Sequence, residues 1–244
     1  MKTAEVSPAA AVRERLAGAS AVAVLTGAGI SAESGIPTFR GAGGLWKNFR
    51  AEDLATPKAF AADPKLVWEW YDSRRGLIAA AEPNAGHRAL AEMRSRFARF
   101  TLATQNVDGL HHRAGSTDAL RLHGDIWTLR CTACGRERED FRTPLPELPP
   151  RCVCGALERP GVVWFGETLP DDVWEQALQA AREAGVFLVI GTSAVVYQAA
   201  GLVELAKTSG ATVVEINVAA TPVSHLVDIS WRAPAAQALP ELLA

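Results

Sequence analysis

The run Ala21-Val22-Ala23-Val24-Leu25 is apolar at every position and then breaks abruptly into Gly27-Ala28-Gly29. A strand without polar alternation belongs inside a sheet covered on both faces. Small residues at its exit let the backbone approach a phosphate closely. No Asp or Glu follows until Glu33, so bare N–H groups at the start of the next helix can face an anion. This is the strand, glycine turn and helix entry of a dinucleotide site. Ala32 stands where a full GxGxxG has its last glycine, and a bare GxG is also an ordinary tight turn. Ser34 to Gly41 (SGIPTFRG) then sets Phe39 and Arg40 after a Gly/Pro-stiffened loop, suited to covering a flat, charged cofactor.

The pattern recurs. Phe100–Thr104, Val186–Ile190 and Thr212–Asn217 are short apolar runs, each ending in a polar or glycine-rich loop. Helices are expected between them: 8–18 behind Ser7-Pro8, one opened by Pro83-Asn84, Asp171–Ala184, and Ala199–Thr208. In the second of these, Leu90, Met93 and Phe97 share a face with His87, read as a core histidine. Gly161–Phe165 is β-prone. Strands alternating with helices give an α/β fold with a doubly wound, parallel, Rossmann-like sheet. The loops at its carboxyl rim would bring GAGIS, TQNVDG, GTS and Asn217 together. Trp46–Ala80, rich in large aromatics and broken at Pro57 and Pro64, reads as a helical insertion, with Gly41–Leu45 as a hinge or lid. The expected division is a Rossmann-like part over 1–40, 84–126 and 161–244, a helical insertion over 41–83 and a zinc-binding module over 127–160.

The 244 residues carry a net charge of −2, which gives no reason to expect nucleic acid or an acidic membrane as partner. No apolar run approaches the ~20 residues of a membrane span. The first 19 residues lack the apolar core of a secretory signal. A cytoplasmic monomer is the expectation.

All four cysteines fall between 131 and 154, as Cys131-Thr132-Ala133-Cys134-Gly135 and Cys152-Val153-Cys154-Gly155. A Cys pair followed by Gly is a knuckle that aims two thiolates at one ion, and two knuckles complete a tetrahedral zinc site. The CxC pair is tighter than usual. Four thiolates leave no open coordination position, so zinc here holds structure; disulfides or a redox role suit the spacing less well.

Gln105, Asn106 and Asp108 follow the second strand and offer the donors and acceptors that a ribose and a carboxamide need, though Asn, Asp and Gly also form plain turns. His123 has the residue type for general-base work near neutrality. Tyr71 and Arg74, three apart, share a face if helical and could clamp a carboxylate. Taken alone they read equally as a packed phenol and a surface guanidinium.

GAGIS–SGIPTFRG, TQNVDGLH, the single His-Gly, the paired knuckles, RPGVVWFGE, GTS and a following Ile-Asn together resemble the sirtuins, NAD-dependent protein lysine deacylases. Asp53-Leu54-Ala55-Thr56-Pro57 and Trp68-Glu69-Trp70-Tyr71 with Arg74 look like the class III branch, which removes succinyl and malonyl groups; bacterial members also deacetylate. The resemblance implies that Gly27, Ala28, Gly29 and Ser31 hold the pyrophosphate and that Phe39 and Arg40 line the cofactor loop. Gln105 and Asn106 would contact ribose and water, Asp108 the carboxamide, and Gly191, Thr192, Ser193, Asn217 and Ala235 the adenosine side. His123 would be the base, with Asn106 as its catalytic companion. Tyr71 and Arg74 would read an acyl carboxylate, with small Ala55 leaving room. Val163, Phe165, Gly166 and Glu167 would line an edge along which the substrate peptide lies. Cys131, Cys134, Cys152 and Cys154 would bind one structural zinc. The implied reaction joins the acyl oxygen to C1′ of the nicotinamide ribose and gives nicotinamide, 2′-O-acyl-ADP-ribose and free lysine. Gln198, where the family has Pro, and Gly161 depart from the pattern. Alternatives are mono-ADP-ribosyl transfer, a non-catalytic NAD sensor, and a zinc-ribbon nucleic-acid binder.

Overall fold

The computed structural model describes residues 7–38, 45–46, 49–194 and 197–244. Phe39, Arg40 and most of the glycine-rich segment read as a lid lie outside the described residues.

The chain opens with α1 (Pro8–Ala17), capped by the Ser7 hydroxyl, which accepts from the Ala10 N–H. The buried strand β1 (Ala21–Thr26) and the short helix α2 (Gly29–Ala32) follow. The expected helical insertion starts instead with a two-residue antiparallel ladder, β2 (Leu45–Trp46) against β3 (Phe49–Arg50). It then becomes helical: α3 (Ala51–Leu54), α4 (Pro57–Ala62) and α5 (Pro64–Ala80). Pro57 and Pro64 do not break helices but start them, each at a first-turn position behind a capping side chain, Thr56 or Asp63. On α5, Val67, Tyr71, Arg75 and Ile78 repeat at helical spacing and are all buried.

Next come α6 (Ala85–Met93), β4 (Arg99–Thr104), α7 (Leu110–Arg113) and β5 (Leu120–Arg121). Helix α6 stops at Met93, so Phe97 lies beyond it rather than on its face. Three strands then form an antiparallel sheet in the order β7–β6–β8: β6 (Gly124–Cys131), β7 (Glu137–Glu139) and β8 (Glu158–Val162). The expected strand at 161–165 therefore lies three residues earlier. The chain closes with α8 (Asp171–Glu183), β9 (Val186–Ile190), α9 (Tyr197–Thr208), β10 (Thr212–Ile216), β11 (Ile229–Trp231) and α10 (Ala235–Glu241).

The main sheet has the order β11–β10–β9–β1–β4–β5 with every pairing parallel. From β1 the chain builds outward one way through β4 and β5, then returns to build the other way through β9, β10 and β11. The reversal falls between β1 and β9, where such sheets open a ligand crevice at their carboxyl ends. Alternate β1 residues serve opposite cores: Val22 and Val24 pack with α1, α6 and α10, Ala23 and Leu25 with α8 and α9. A third core joins the helical insertion to β6 and β8 through Trp68, Tyr71, Ile126, Leu129 and Trp164. No helix among the described residues is long and apolar enough to cross a membrane.

Candidate active site and zinc site

At the switch point the glycines serve a purpose the sequence did not disclose. A Cβ on Gly27 would meet the Thr192 Cβ at 2.7 Å, and one on Gly29 would meet the Gly191 carbonyl oxygen at 2.6 Å. Absence of side chains thus lets the turn after β1 pack on the turn after β9. The N–H groups expected to face an anion are largely committed. Gly27 donates to Ile190, Gly29 to Gly191 at 2.7 Å, Ile30 to Gly27 and Ser31 to Ala28. Helix α2 is only four residues long, and the groups left at this rim are mainly polar side chains.

Those side chains form one network. Ser31 Oγ donates to Asp108 Oδ2 at 2.7 Å, and Asn106 Nδ2 donates to the Gly27 carbonyl at 3.1 Å and to Ser31 Oγ at 3.2 Å. The Leu110 N–H donates to Asp108 Oδ1 at 2.8 Å, closing the turn. Burial pushes the Asp108 carboxyl up from its usual range, while these donors favour its charged form. Gln105 Nε2 donates to Thr192 Oγ1 at 2.8 Å, and Asn217 Nδ2 to the Thr192 carbonyl at 2.8 Å, so residues from β4, β9 and β10 meet at one rim. Ser193 is exposed beside them. Ala235 starts α10, is buried, and sits against Gly86 of α6. A cavity of about 10 Å³ behind Asn106 and Asp108 is lined also by Thr104, His111, Arg121 and Asp125.

His123 follows β5. Its Nδ1 lies 2.9 Å from the Gln105 carbonyl oxygen. A carbonyl only accepts, so Nδ1 carries the proton and Nε2 is left as a lone pair. Among the described residues nothing bonds that Nε2. Burial lowers the His123 pKa below its ordinary value, against the opposing pull of the Gln105 carbonyl, and the neutral form prevails at pH 7.

Sequence reasoning read His87 as a core histidine but missed its pairing with His111 and its contact with Ser31. Asn84 caps α6, and its N–H donates to His87 Nδ1 at 3.3 Å. The other ring nitrogen of His87 therefore donates to Ser31 Oγ at 3.4 Å. His111 Nε2 lies 2.9 Å from the Thr26 hydroxyl, and the two rings meet edge to face with centroids 4.8 Å apart. His87 is a core histidine, as read, yet it also touches a site residue.

Tyr71 and Arg74 lie one turn apart on α5, Tyr71 buried and Arg74 half-buried. Trp164 Nε1 donates to the Tyr71 hydroxyl oxygen at 2.9 Å. The Arg74 pKa is lowered by burial and raised in part by Tyr71 and Asp108, which places the guanidinium within electrostatic reach of the Asp108 carboxylate. Ala55 is buried, and its carbonyl accepts from the Phe165 N–H at 2.9 Å. The edge expected to receive a peptide is already hydrogen-bonded on its donor side. Val163 N–H donates to His123, Trp164 N–H to Glu167 Oε2, and Glu167 N–H to Trp164. A peptide strand pairing there would meet carbonyls and the Gly166 N–H rather than these four donors. Phe165 is exposed.

The four cysteine sulfurs lie within 4.8 Å of one another. Cys131 and Cys154 are 3.5 Å apart and Cys134 and Cys152 3.7 Å, close to the about 3.8 Å edge of a tetrahedron with Zn–S bonds of 2.3 Å. Gly135 (φ +71°) and Gly155 (φ +87°) adopt the left-handed conformation that the knuckles require. The N–H groups of Ala133 and Cys134 point at Cys131 Sγ, as in a thiolate-holding turn. The donor set fits a closed structural zinc.

A parallel sheet whose carboxyl rim gathers Gln105, Asn106, Asp108 and a neutral His123, joined to a four-thiolate module, has the layout of a nucleotide-dependent enzyme with a structural metal. A profile of the Sir2 family matches residues 27–198. An NAD-dependent protein deacylase of Aquifex aeolicus is 57% identical over 219 residues, 89% of this chain and 92% of that protein. One from Thermus thermophilus is 52% identical over 95% of this chain and 92% of its own length. Among solved structures, a Sir2 homologue in complex with NAD superposes with a TM-score of 0.91 at 46% identity, covering 96% of this chain and 91% of that one. A Sir2–p53 peptide–NAD complex superposes at 0.85 with 28% identity, covering 96% of each. The chain belongs to the Sir2 family.

Proposed function

We propose that this chain is an NAD-dependent protein lysine deacylase acting on acetyl-lysine and on lysines bearing short acidic acyl groups. One observation carries the reading: the Gln105 carbonyl fixes His123 with a bare Nε2, beside Asn106, Ser31 and Asp108 on one rim. The amide, hydroxyl and carboxyl side chains there fit a dinucleotide at the switch point of a parallel sheet. NAD, when bound, supplies the electrophilic anomeric carbon and the ribose hydroxyls.

The chain's part is to hold and to move a proton. Gln105 and Asn106 orient the nicotinamide ribose, and Asp108, kept in place by Ser31 and the Leu110 N–H, accepts from the carboxamide. Gly27, Ala28 and Gly29 bound the pyrophosphate position. Gly191, Thr192, Ser193, Asn217 and Ala235 bound the adenosine side. His123 Nε2 takes the proton of a ribose hydroxyl so that its oxygen can act as nucleophile, and orientation of this kind is worth several kcal/mol. Cys131, Cys134, Cys152 and Cys154 hold zinc away from the reacting atoms.

The acidic-acyl preference rests on Tyr71 and Arg74. The Tyr71 oxygen accepts from Trp164, and among the described residues nothing accepts its own proton. An incoming carboxylate would, with Arg74 one helical turn away. The absence of nucleic-acid affinity fits the net charge of −2, and a cytoplasmic monomer is the accompanying expectation.

The test is a panel of matched acetyl-, succinyl- and malonyl-lysine peptides with NAD, followed by nicotinamide release. Turnover of all three supports the reading. No release with any rejects the activity, and acetyl-only turnover rejects the Tyr71/Arg74 assignment.

A further inference from the structure

Trp164 is buried, and its surroundings are built rather than incidental. The Arg159 guanidinium lies over its ring, 3.4 Å from the centroid, on the flank of the segment that follows β8. Arg159 in turn grips Glu167 with both nitrogens, at 2.5 and 2.8 Å, and Glu167 Oε2 accepts from the Trp164 backbone N–H at 2.8 Å. Phe60 of α4 packs against the indole with centroids 5.2 Å apart. Ring and backbone of Trp164 are thus both fixed, and the one polar atom of the side chain, Nε1, is spent on Tyr71.

An indole N–H only donates, so the bond obliges the Tyr71 oxygen to accept. The phenol has a single proton, and with its oxygen held by Trp164 that proton must find its acceptor elsewhere. Leaving a buried hydroxyl without an acceptor is costly, and a carboxylate brought by the substrate removes the cost. The methyl of an acetyl group does not. We infer that Trp164 is a positioning residue for acyl selectivity: its indole N–H holds the Tyr71 hydroxyl as a donor to an acidic acyl group. The inference rests on the acidic-acyl reading above and adds to it the residue that enforces it.

Trp164→Phe keeps an aromatic ring beside Phe60 and Arg159 and removes the N–H together with the five-membered part of the indole; the packing lost this way acts on both substrates alike and cancels in their ratio. The ratio of succinyl- to acetyl-lysine kcat/KM should fall about tenfold, mainly through the succinyl KM, the scale expected for one polar contact to a charged group. In a Tyr71→Phe background the same change should leave that ratio where Tyr71→Phe alone put it, because the indole acts through the phenol. A structural role would lower both substrates alike and would persist in the Tyr71→Phe background; either result overturns the inference. Wild-type protein gives a second reading that requires no Trp164 variant to fold. The Trp164 indole N–H resonance should move on binding succinyl-lysine peptide and stay in place with acetyl-lysine peptide; equal movement with both overturns it. A wild type that turns over only acetyl-lysine sinks the acidic-acyl reading itself. Succinyl turnover with an unchanged ratio in Trp164→Phe sinks this inference alone.

Discussion

His123 presents its Nδ1 to the Gln105 carbonyl oxygen at 2.9 Å, and that contact decides which ring nitrogen can act as base. Because burial also holds its pKa below the ordinary value of about 6.5, His123 is already neutral at physiological pH, as the proposed base must be. kcat/KM should therefore climb with pH only on the acid side of 6.5 and be flat above it. His123→Ala should cost at least about a hundredfold with folding intact. A rising limb centred above pH 7 would mean that another group is the base.

Gly29 and Gly191 pack so closely that the expected effect of a single methyl is large. In Gly29→Ala the new Cβ would lie 2.6 Å from the Gly191 oxygen and 2.7 Å from its Cα, both rigid backbone atoms. Overpacking of this kind costs about 1–3 kcal/mol. Thermal melting should show a clear loss, with a raised KM for NAD because both turns flank the cofactor rim. An unchanged melting temperature would contradict the close approach.

The buried pair His87 and His111 should make the protein acid-sensitive. Burial, the larger cause in each, lowers His87 to about 4 and His111 to about 3, Arg88 adding to the first and His87 to the second. The unfolded chain protonates both near 6.5, whereas the folded one does not. The unfolded state then binds more protons, so the stability that is present above pH 6.5 is lost as pH falls toward 4. For His87 the loss amounts to up to about 3 kcal/mol. Chemical denaturation at pH 7 and pH 4.5 should show it, with a shallower slope in His87→Gln and His111→Gln. An unchanged slope in both would contradict the assignment.

Strand β6 runs from Gly124, next to His123, to Cys131, so a single strand connects the zinc module to His123. One zinc per chain is expected by metal analysis, and Cys152→Ser should lose it. Chelation should unfold β6, β7 and β8, lower the melting temperature and abolish nicotinamide release. Full activity of metal-free protein would contradict a structural zinc.

Much of this layout was visible in the amino-acid order, for physical reasons that also explain what was not. β1 and β9 are buried on both faces, and continuous apolar runs announce such strands. Gly135 and Gly155 follow their cysteines because only a left-handed residue closes a knuckle, so the metal site could be read locally. By contrast, β5, with two residues, and β11, with three, are too short to show a period. Strand β8 was read from Gly161 onward, past the Pro160 that β6 in fact pairs with, so its bounds came out three residues late. The glycines of the first turn were legible as residues but not in purpose, since their partners, Gly191 and Thr192, lie far along the chain at the end of β9. His87 was legible as a core histidine, but its contact with Ser31 and its pairing with His111 were not, because they depend on α6 and α7 meeting.

The destination of the acyl group tests the central claim most directly. With NAD and a succinyl- or acetyl-lysine peptide, mass spectrometry of the small-molecule products should find the acyl group attached to ADP-ribose, in equal amount to the nicotinamide released. Acyl recovered only as the free acid, or ADP-ribose recovered on protein, would contradict a cleft in which His123 directs the ribose oxygen at the acyl carbon.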